Sequence, residues 1–538
     1  MRVDHSNTVL VTIAAWLLIA TAARAVTSAP VDAGDSVASV PRDHGQMVRR
    51  VDALLAELWD AEGVAPAALA NDNEFLRRAY LDLVGVIPRV SEVRAFLADD
   101  RPDKRALLVD QLLSSPRHAT HMATTWRNRI LPVGVDPTHD REALGLQKWL
   151  RTRFAKNLRY DNIVGGLLLT TGGDELGPAL YFQANDLAPE KIASSAAELF
   201  LGVHLQCAMC HDHPYADWSQ RDFWGLAAFF ARVQSPAGRG MQQVNYRLVD
   251  ADRGEVRIPE SEEIVAPKYP GGEPATDDAW QTRRVQLTTW MASRDNRYFA
   301  RAGVNWAWSH LFGQGLVASL DDVDDEDQSI HSRLLDELAD DFVDSGFDLQ
   351  QLWRVLANTR AYQLSSRHEQ LESVPAESFA RMLAKPFTPE QMYDSFLVLS
   401  PREPQVRGPG GMMAFGLDDD PARIEFVRRM RPPPGSATEF RAGTLQALML
   451  MNGPTMASVT APDLSNLLGA LAAPFMDAPA QVEAMFLATL CRSPDADELE
   501  TCVSMLRQSA SATPQDRTQA RSDILWALLN STEFAFNR

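Results

Sequence analysis

From Met47 onward, apolar residues recur three and four positions apart over most of the chain, and that period restricts it to a mainly α-helical fold. Val51, Leu54, Leu55 and Leu58 set the pattern. It continues in "NEFLRRAYLDLV", Asn73 to Val84, where Phe75, Leu76, Ala79, Tyr80 and Leu83 share one side and Gly85 and Pro88 stop the helix. Ser91–Leu97 and Lys104–Leu113 read as further short helices, and His118–Leu131 resumes after the Ser114-Ser115-Pro116 break with Met122 and Trp126 one turn apart. "LAPEKIASSAAELFLGVHLQC" carries Pro189 in a first turn, with Asp186 as its cap. Its apolar stripe is Ile192, Ala196, Leu199, Phe200 and Val203. Ser219 and Asp222 have the spacing of a capping box and open Gln220–Val233, whose Phe223, Trp224, Ala227 and Phe230 share a face.

The period changes once. Ser235–Pro274 is rich in Gly and Pro, and "QQVNYRLVD" and "GEVRIP" alternate as strands do, so a small β-hairpin and loop separate two helical domains. From Arg283 the helical spacing returns. Thr388 to Gln391 is a second capping box with Pro389 at the first helical position, and Asp495 with Glu498 is another. Gly408–Gly411 and Arg431–Gly435 mark loops. The expected division is a leader at 1–25, a linker at 26–46, a helical domain at 47–233, a β/loop junction at 234–282 and a second helical domain at 283–538.

The leader sets the expected compartment. Met1–Ser6 is short and polar, Val9–Ala23 is an uncharged and mostly apolar run, and Ala23-Arg24-Ala25 is a small-residue cleavage site before Val26. The run is shorter than the ~20 residues of a spanning helix. Export is therefore expected, with no membrane span beyond the leader. Formal net charge is −19, and −20 once Met1–Ala25 with Arg2, Arg24 and Asp4 is removed. A chain this acidic lacks the basic surface that displaces counterions from nucleic acid, so nucleic-acid binding is excluded as an expectation. Four cysteines in 538 residues cannot form a disulfide scaffold, so packed cores must carry stability.

Two of those cysteines lie in "LQCAMCHDHPYADW", Leu205 to Trp218. Cys207-Ala208-Met209-Cys210-His211 fits the C-x-x-C-H attachment pattern of c-type haem. Two thiols three apart on a helical turn can add to the two vinyl groups of one porphyrin, and the next residue, His211, can ligate iron. Met122, Met241, His118, His121 and His213 are candidates for a second axial ligand. The alternative is a divalent metal such as zinc held by His211, Asp212 and His213, with ligands such as His118 or His121 recruited from other helices. The third reading is structural: a Cys207–Cys210 disulfide or a packed thiol pair with the histidines capping a turn.

The chain resembles secreted planctomycete proteins that pair two domains of unknown function, numbered 1549 and 1553, the first also called a planctomycete cytochrome-C-like domain. "FLRRAYLDLVGVIP", "ELFLGVHLQCAMCHDHPYADWSQRDFWGLAAFFARV", "NRYFARAGVNWAWSHLFGQGLVASLDDV", "LLDELADDFVDSGFDLQQLWRVLANTRAYQLSS", "TLQALMLMNGPTM" and "DILWALLNSTEFAFN" carry the resemblance, in order, over nearly the whole chain after the leader. It departs from the family pattern at Met209, Tyr215, Trp306-Ala307 and Ser332. The resemblance implies architecture and compartment, and no reaction.

Other features carry weaker expectations. His118 and His121 share a helical face with Met122 and read as partly buried polar residues. Asp321–Asp327 reads as a solvated acidic loop, since an EF-hand counted from Asp322 would have Asp327 and Arg333 where Gly and Glu belong. Trp290, Trp306 and Trp308 read as core. Arg301, Asn305 and His310 form a polar stripe, with an ion pair from it to the Asp321–Asp322 loop expected, and Cys491 and Cys502 flank the Ser493-Pro494 break as a pair that a disulfide could bridge. P-loop, nucleophile-elbow, HExxH and dinucleotide fingerprints are absent from the sequence. The resulting expectation is an exported c-type haem or redox protein working with a redox partner. A metal-dependent hydrolase or lyase and a non-catalytic surface or assembly module are the alternatives.

Overall fold

The computed structural model describes residues 44–538 apart from 132–139, 173–175, 215, 237–246, 260, 262, 277–279, 295, 319, 321–328, 370–373, 400–419, 432–443 and 511–512. The expected leader and linker lie outside the described residues, except for the last three linker positions.

The first half is helical, as its apolar period requires. Its helices are α1 (His44–Glu62), α2 (Asp72–Val84), α3 (Val90–Leu97), α4 (Lys104–Leu113), α5 (Pro116–Ile130), α6 (Asp140–Ala155), α7 (Tyr160–Leu168), α8 (Leu176–Ala184), α9 (Pro189–Ala196) and α10 (Gln220–Ala228). After them come two short antiparallel ladders: β1 (Val233–Gln234) with β2 (Val249–Asp250), and β3 (Val256–Arg257) with β4 (Ile264–Val265). The single expected hairpin is therefore two ladders of two residues per strand. Buried Arg284 fixes this junction by donating to both Asp250 carboxylate oxygens, at 2.9 and 2.8 Å, and to the Leu168 and Thr170 carbonyls.

The second half adds α11 (Arg283–Met291), α12 (Arg297–Phe312), α13 (Ile330–Asp344), α14 (Leu349–Asn358), strand β5 (Lys385–Pro386), α15 (Pro389–Leu399), α16 (Pro421–Met430), α17 (Thr444–Asn452), α18 (Pro454–Thr460), α19 (Asn466–Leu471), α20 (Ala478–Leu490), α21 (Ala496–Ala510), α22 (Pro514–Leu529), α23 (Thr532–Ala535) and strand β6 (Phe536–Asn537). β5 and β6 pair antiparallel. The fold is mainly α, as the sequence requires. No described helix is long and apolar enough to cross a membrane.

The capping boxes at Ser219/Asp222, Thr388/Gln391 and Asp495/Glu498 all form, each with its reciprocal pair of hydrogen bonds. Asp186 does not cap α9. It sits at φ 57° and pairs with Lys191, and the N-cap position is Ala188, which has no side-chain oxygen to offer. The helix expected through Val203 ends early: Ala197–Leu201 is one π-helical turn closed by Gly202 at φ 70°. Arg129 Nη2 donates to the Leu199 carbonyl in that turn at 2.8 Å.

Two apolar cores result. The first is built from residues between Val51 and Met382 together with Leu487 and Cys491, and includes Trp126, Tyr160, Phe200, Phe223, Trp308 and Trp353. The second is built from Phe387 to Phe534, joined by Leu81 and Ile87. Helix α2 lies between them. Its Phe75, Leu76, Ala79, Tyr80 and Leu83 enter the first core, as the sequence period requires, while Leu81 enters the second. The opposite face is not solvated: Arg77, Arg78 and Asp82 are all buried. That burial has specific partners. Arg77 donates to the Thr489 and Phe534 carbonyls at 2.7 and 2.8 Å, and Arg78 to the Tyr362 and Leu364 carbonyls at 2.6 and 2.8 Å.

Candidate functional site

Leu205–Met209 forms a 3₁₀ turn just after the π-helical turn, with Leu205 and Ala208 buried beneath it. Anchoring these two side chains turns the intervening positions outward. Cys207 and Cys210 are exposed and unbonded, and His211 and Asp212 are exposed as well. A packed or disulfide-bonded thiol pair is therefore not what the structure contains.

The turn is held from below by α10. Gln220 Nε2 and the buried Trp224 Nε1 both donate to the Met209 carbonyl, at 3.2 and 3.1 Å. Asp222 closes the capping box with Ser219 and accepts from Lys268 Nζ at 2.6 Å. The Lys268 ammonium and the Ser219 donors outweigh partial burial and hold the Asp222 carboxyl below its ordinary range. These supports, Gln220, Trp224 and Lys268, were not legible as site residues, because their role depends on contacts between segments.

The residues after the second thiol form a closed loop. The Asp212 Oδ1 accepts from the Gln220 amide at 2.8 Å, which satisfies the first amide of α10. The His213 amide donates to the Trp218 carbonyl at 2.8 Å, and the His213 Nδ1 accepts from the Ala216 amide at 2.9 Å. An accepting Nδ1 places the proton of a neutral imidazole on Nε2, which then offers no lone pair. His211 has the opposite arrangement. Its Nδ1 faces the Asp212 carbonyl at 2.7 Å, and a carbonyl only accepts, so Nδ1 donates and Nε2 keeps its lone pair.

The metal reading requires a convergence that is not found among the described residues. Among the described residues, no three of His, Cys, Asp and Glu come together in a group able to hold an ion. Asp212 and His213 are consecutive with His211 but are turned to backbone amides. His118 and His121 are not recruited either. His118 Nδ1 donates to the Leu83 carbonyl at 2.7 Å, and the His121 ring packs on the His310 ring and against Gly85. Met122 is buried in the first core, and Met241 lies outside the described residues.

The remaining sequence candidates disperse. Trp308 is buried in the first core and Trp290 and Trp306 pack against it. Arg301 pairs with Asp336 at 2.5 Å; Asp321 and Asp322 lie outside the described residues. Asn305 bridges to Val317, and His310 Nε2 donates to the Asp82 carbonyl at 3.0 Å. His331 Nε2 reaches the Glu377 carbonyl. Cys491 and Cys502 form no disulfide, and the Cys491 Sγ accepts from Arg77 Nη1 at 3.8 Å.

A second polar assembly was missed altogether. The Asp82 Oδ1 accepts from Lys385 Nζ at 2.6 Å and Asn537 Nδ2 at 2.7 Å, and Oδ2 from the Tyr362 hydroxyl at 2.9 Å. Lys385 Nζ also donates to the His310 and Leu311 carbonyls. Burial lowers the Lys385 ammonium below its ordinary range, with Asp82 opposing, and raises the Tyr362 hydroxyl. Every element of this assembly is consumed in joining α2, α12, β5 and β6, which makes it architectural.

A family model described as a protein of unknown function, DUF1549, matches residues 50–235, and a second, described as a protein of unknown function, DUF1553, matches residues 283–418. The chain pairs these two domains. No curated protein and no solved structure matches it. The exposed thiol turn lies in the DUF1549 domain, and the Asp82–Lys385 contact joins that domain to the DUF1553 domain.

Proposed function

We propose that the DUF1549 domain attaches a c-type haem through Cys207 and Cys210 and ligates its iron through His211, in an exported protein that transfers electrons or carries out a haem-dependent oxidation. The observation that carries this reading is the state of three neighbouring groups. Two thiols three residues apart are solvent-exposed and unbonded, and the next side chain is an exposed imidazole whose Nδ1–H is taken by a carbonyl, leaving Nε2 as the donor atom. This donor set fits a haem better than a divalent ion, because no third protein ligand from another element joins it among the described residues. Each thiol would add across one vinyl group, sulfur to one carbon and hydrogen to the other. A bound haem would supply one-electron redox chemistry there, and a redox partner would exchange the electron. The chain's own contribution is to keep the thiols accessible, through the buried anchors Leu205 and Ala208, and to orient the imidazole.

Export supports the reading from the sequence, since c-type attachment in bacteria follows translocation and Met1–Ala25 has the form of a leader. The deciding experiment is an absorption spectrum, oxidised and reduced, together with intact mass, of full-length protein exported in a host that matures c-type cytochromes. A Soret band, sharpened α and β bands on reduction and a covalent haem mass are expected. A colourless protein of apo mass would overturn the proposal.

A further inference from the structure

Haem attachment uses Cys207, Cys210 and His211, and it leaves the acidic residue that follows them without a role. Its geometry supplies one. The Asp212 side chain and the Asp212 carbonyl are both engaged, in different directions. The carboxylate Oδ1 is fixed on the Gln220 amide at 2.8 Å, at the first position of a helix whose N-terminus is further closed by the Ser219–Asp222 capping box and by Lys268. The carbonyl of the same residue receives His211 Nδ1 at 2.7 Å. An exposed imidazole on an exposed turn has no packing to orient it. What fixes it is a carbonyl whose own position is set by a side chain clamped to a rigid helix end.

We infer that Asp212 is a positioning residue for His211: by capping α10 it holds its carbonyl against Nδ1, and this keeps the His211 lone pair on Nε2, the atom able to ligate iron. The inference deepens the haem proposal and rests on it for its purpose, but the tautomer itself is a property of the haem-free chain. It also accounts for the spacing of the loop. Asp212 and Gln220 are separated by a segment whose own closures, His213 to Trp218 and Ala216 to His213, bring the carboxylate back to the helix start.

The test uses the full chain without haem, labelled with ¹⁵N-histidine, and reads the His211 tautomer by long-range ¹H–¹⁵N correlation at pH about 8.5, where histidine is neutral as a class. Four variants separate the contacts. Asp212→Ala removes the carboxylate. Asp212→Asn keeps an oxygen acceptor for the Gln220 amide. Gln220→Pro removes that amide at a first-turn position that tolerates proline, after Ser219 in extended backbone at ψ 159°. Gln220→Ala keeps the amide and removes only the side-chain bond to the Met209 carbonyl. The wild-type chain, Asp212→Asn and Gln220→Ala are expected to hold the proton on Nδ1. Asp212→Ala and Gln220→Pro are expected to shift it toward Nε2, the preference of histidine free in water.

A wild-type Nε2–H tautomer would overturn the inference, and so would an unchanged Nδ1–H tautomer in both Asp212→Ala and Gln220→Pro. Gln220→Pro keeps the question answerable if Asp212→Ala does not fold. In haem-loaded protein the same two variants are expected to shift the reduction potential relative to Asp212→Asn. Failure of haem attachment by mass with the tautomer pattern intact would sink the haem proposal and leave the positioning role standing.

Discussion

Removing the Asp82 carboxylate tests whether the two domains are joined by a buried charge. Asp82 is 2% exposed and lies among the Lys385 ammonium, the Asn537 amide and the Tyr362 hydroxyl. Asp82→Ala takes away the only carboxylate bonded to Lys385 among the described residues and leaves the ammonium with the His310 and Leu311 carbonyls alone. Breaking a buried pair from one side costs about 3–5 kcal/mol, because the remaining charge stays desolvated. The pair itself is a different matter. Burial already pulls the Lys385 ammonium below its ordinary range despite Asp82, so the charge is tolerated rather than favoured by the fold. Lys385→Met, of similar length and uncharged, is therefore expected to rescue part of the Asp82→Ala loss. Its effect in the wild-type background should be smaller than that of Asp82→Ala, because the carboxylate would keep Asn537 and Tyr362 as donors.

The assay is urea unfolding of the four proteins of the cycle, followed by far-ultraviolet circular dichroism. The expected result is a loss of about 3–5 kcal/mol in Asp82→Ala, with the double variant recovering about 1–2 kcal/mol of it. Full recovery is not expected, since Tyr362 and Asn537 still lose their acceptor. Simple additivity of the two single effects, or an Asp82→Ala loss below about 1 kcal/mol, would refute the reasoning.

Other consequences can be measured separately. His118 is buried with its pKa held down to about 4, mainly by burial, so below about pH 6.5 the unfolded chain takes up a proton that the folded chain refuses. Stability from this residue is full above that value and falls by about 3 kcal/mol as pH drops to about 4; His118→Gln should remove that increment from the pH dependence of the urea midpoint, and an unchanged dependence would refute it. Gly85→Ala would drive a Cβ into the His121 ring at φ 72°, and a loss of about 2–4 kcal/mol in the same assay is expected. Cys207 and Cys210 should react with iodoacetamide in the native haem-free protein while buried Cys491 reacts only on unfolding; equal protection of all three by mass spectrometry would contradict the exposed turn.

What was legible in the sequence followed from local chemistry. The helical period, the Gly85 stop and three capping boxes are set by residues within a turn of each other, and each forms. Asp186 failed as a cap because the helix starts at Pro189, which makes Ala188 the N-cap and leaves Asp186 two residues outside it, paired with Lys191. In the thiol motif the residue types and spacing were readable, but the roles of Asp212 and His213 were not. Both were read as ligands by proximity in sequence, whereas Asp212 reaches an amide eight residues on and His213 one three residues on. The faces of α2 show the same limit. The apolar stripe was readable, but nothing in the local sequence marks Arg77, Arg78 and Asp82 as buried. Their burial follows from carbonyl and side-chain partners 280 or more residues away in sequence, which no local period encodes.

The Asp82–Lys385 joint and the thiol turn differ in how their atoms are used. At the joint, the Asp82 carboxylate has a donor on each oxygen and Lys385 Nζ has three acceptors, which leaves little there to engage a substrate without unfolding the interface. At the motif, the supporting groups are satisfied and the reactive ones are left over. Met209 and Asp212 carbonyls, the Asp212 carboxylate and the His213 Nδ1 have partners within the turn or on α10, and the Asp222 carboxylate has Lys268. The two thiols are unbonded and exposed, and no described residue bonds His211 Nε2. On the haem reading proposed above, these three donors would be the attachment groups, carried on a turn whose backbone is hydrogen-bonded to α10.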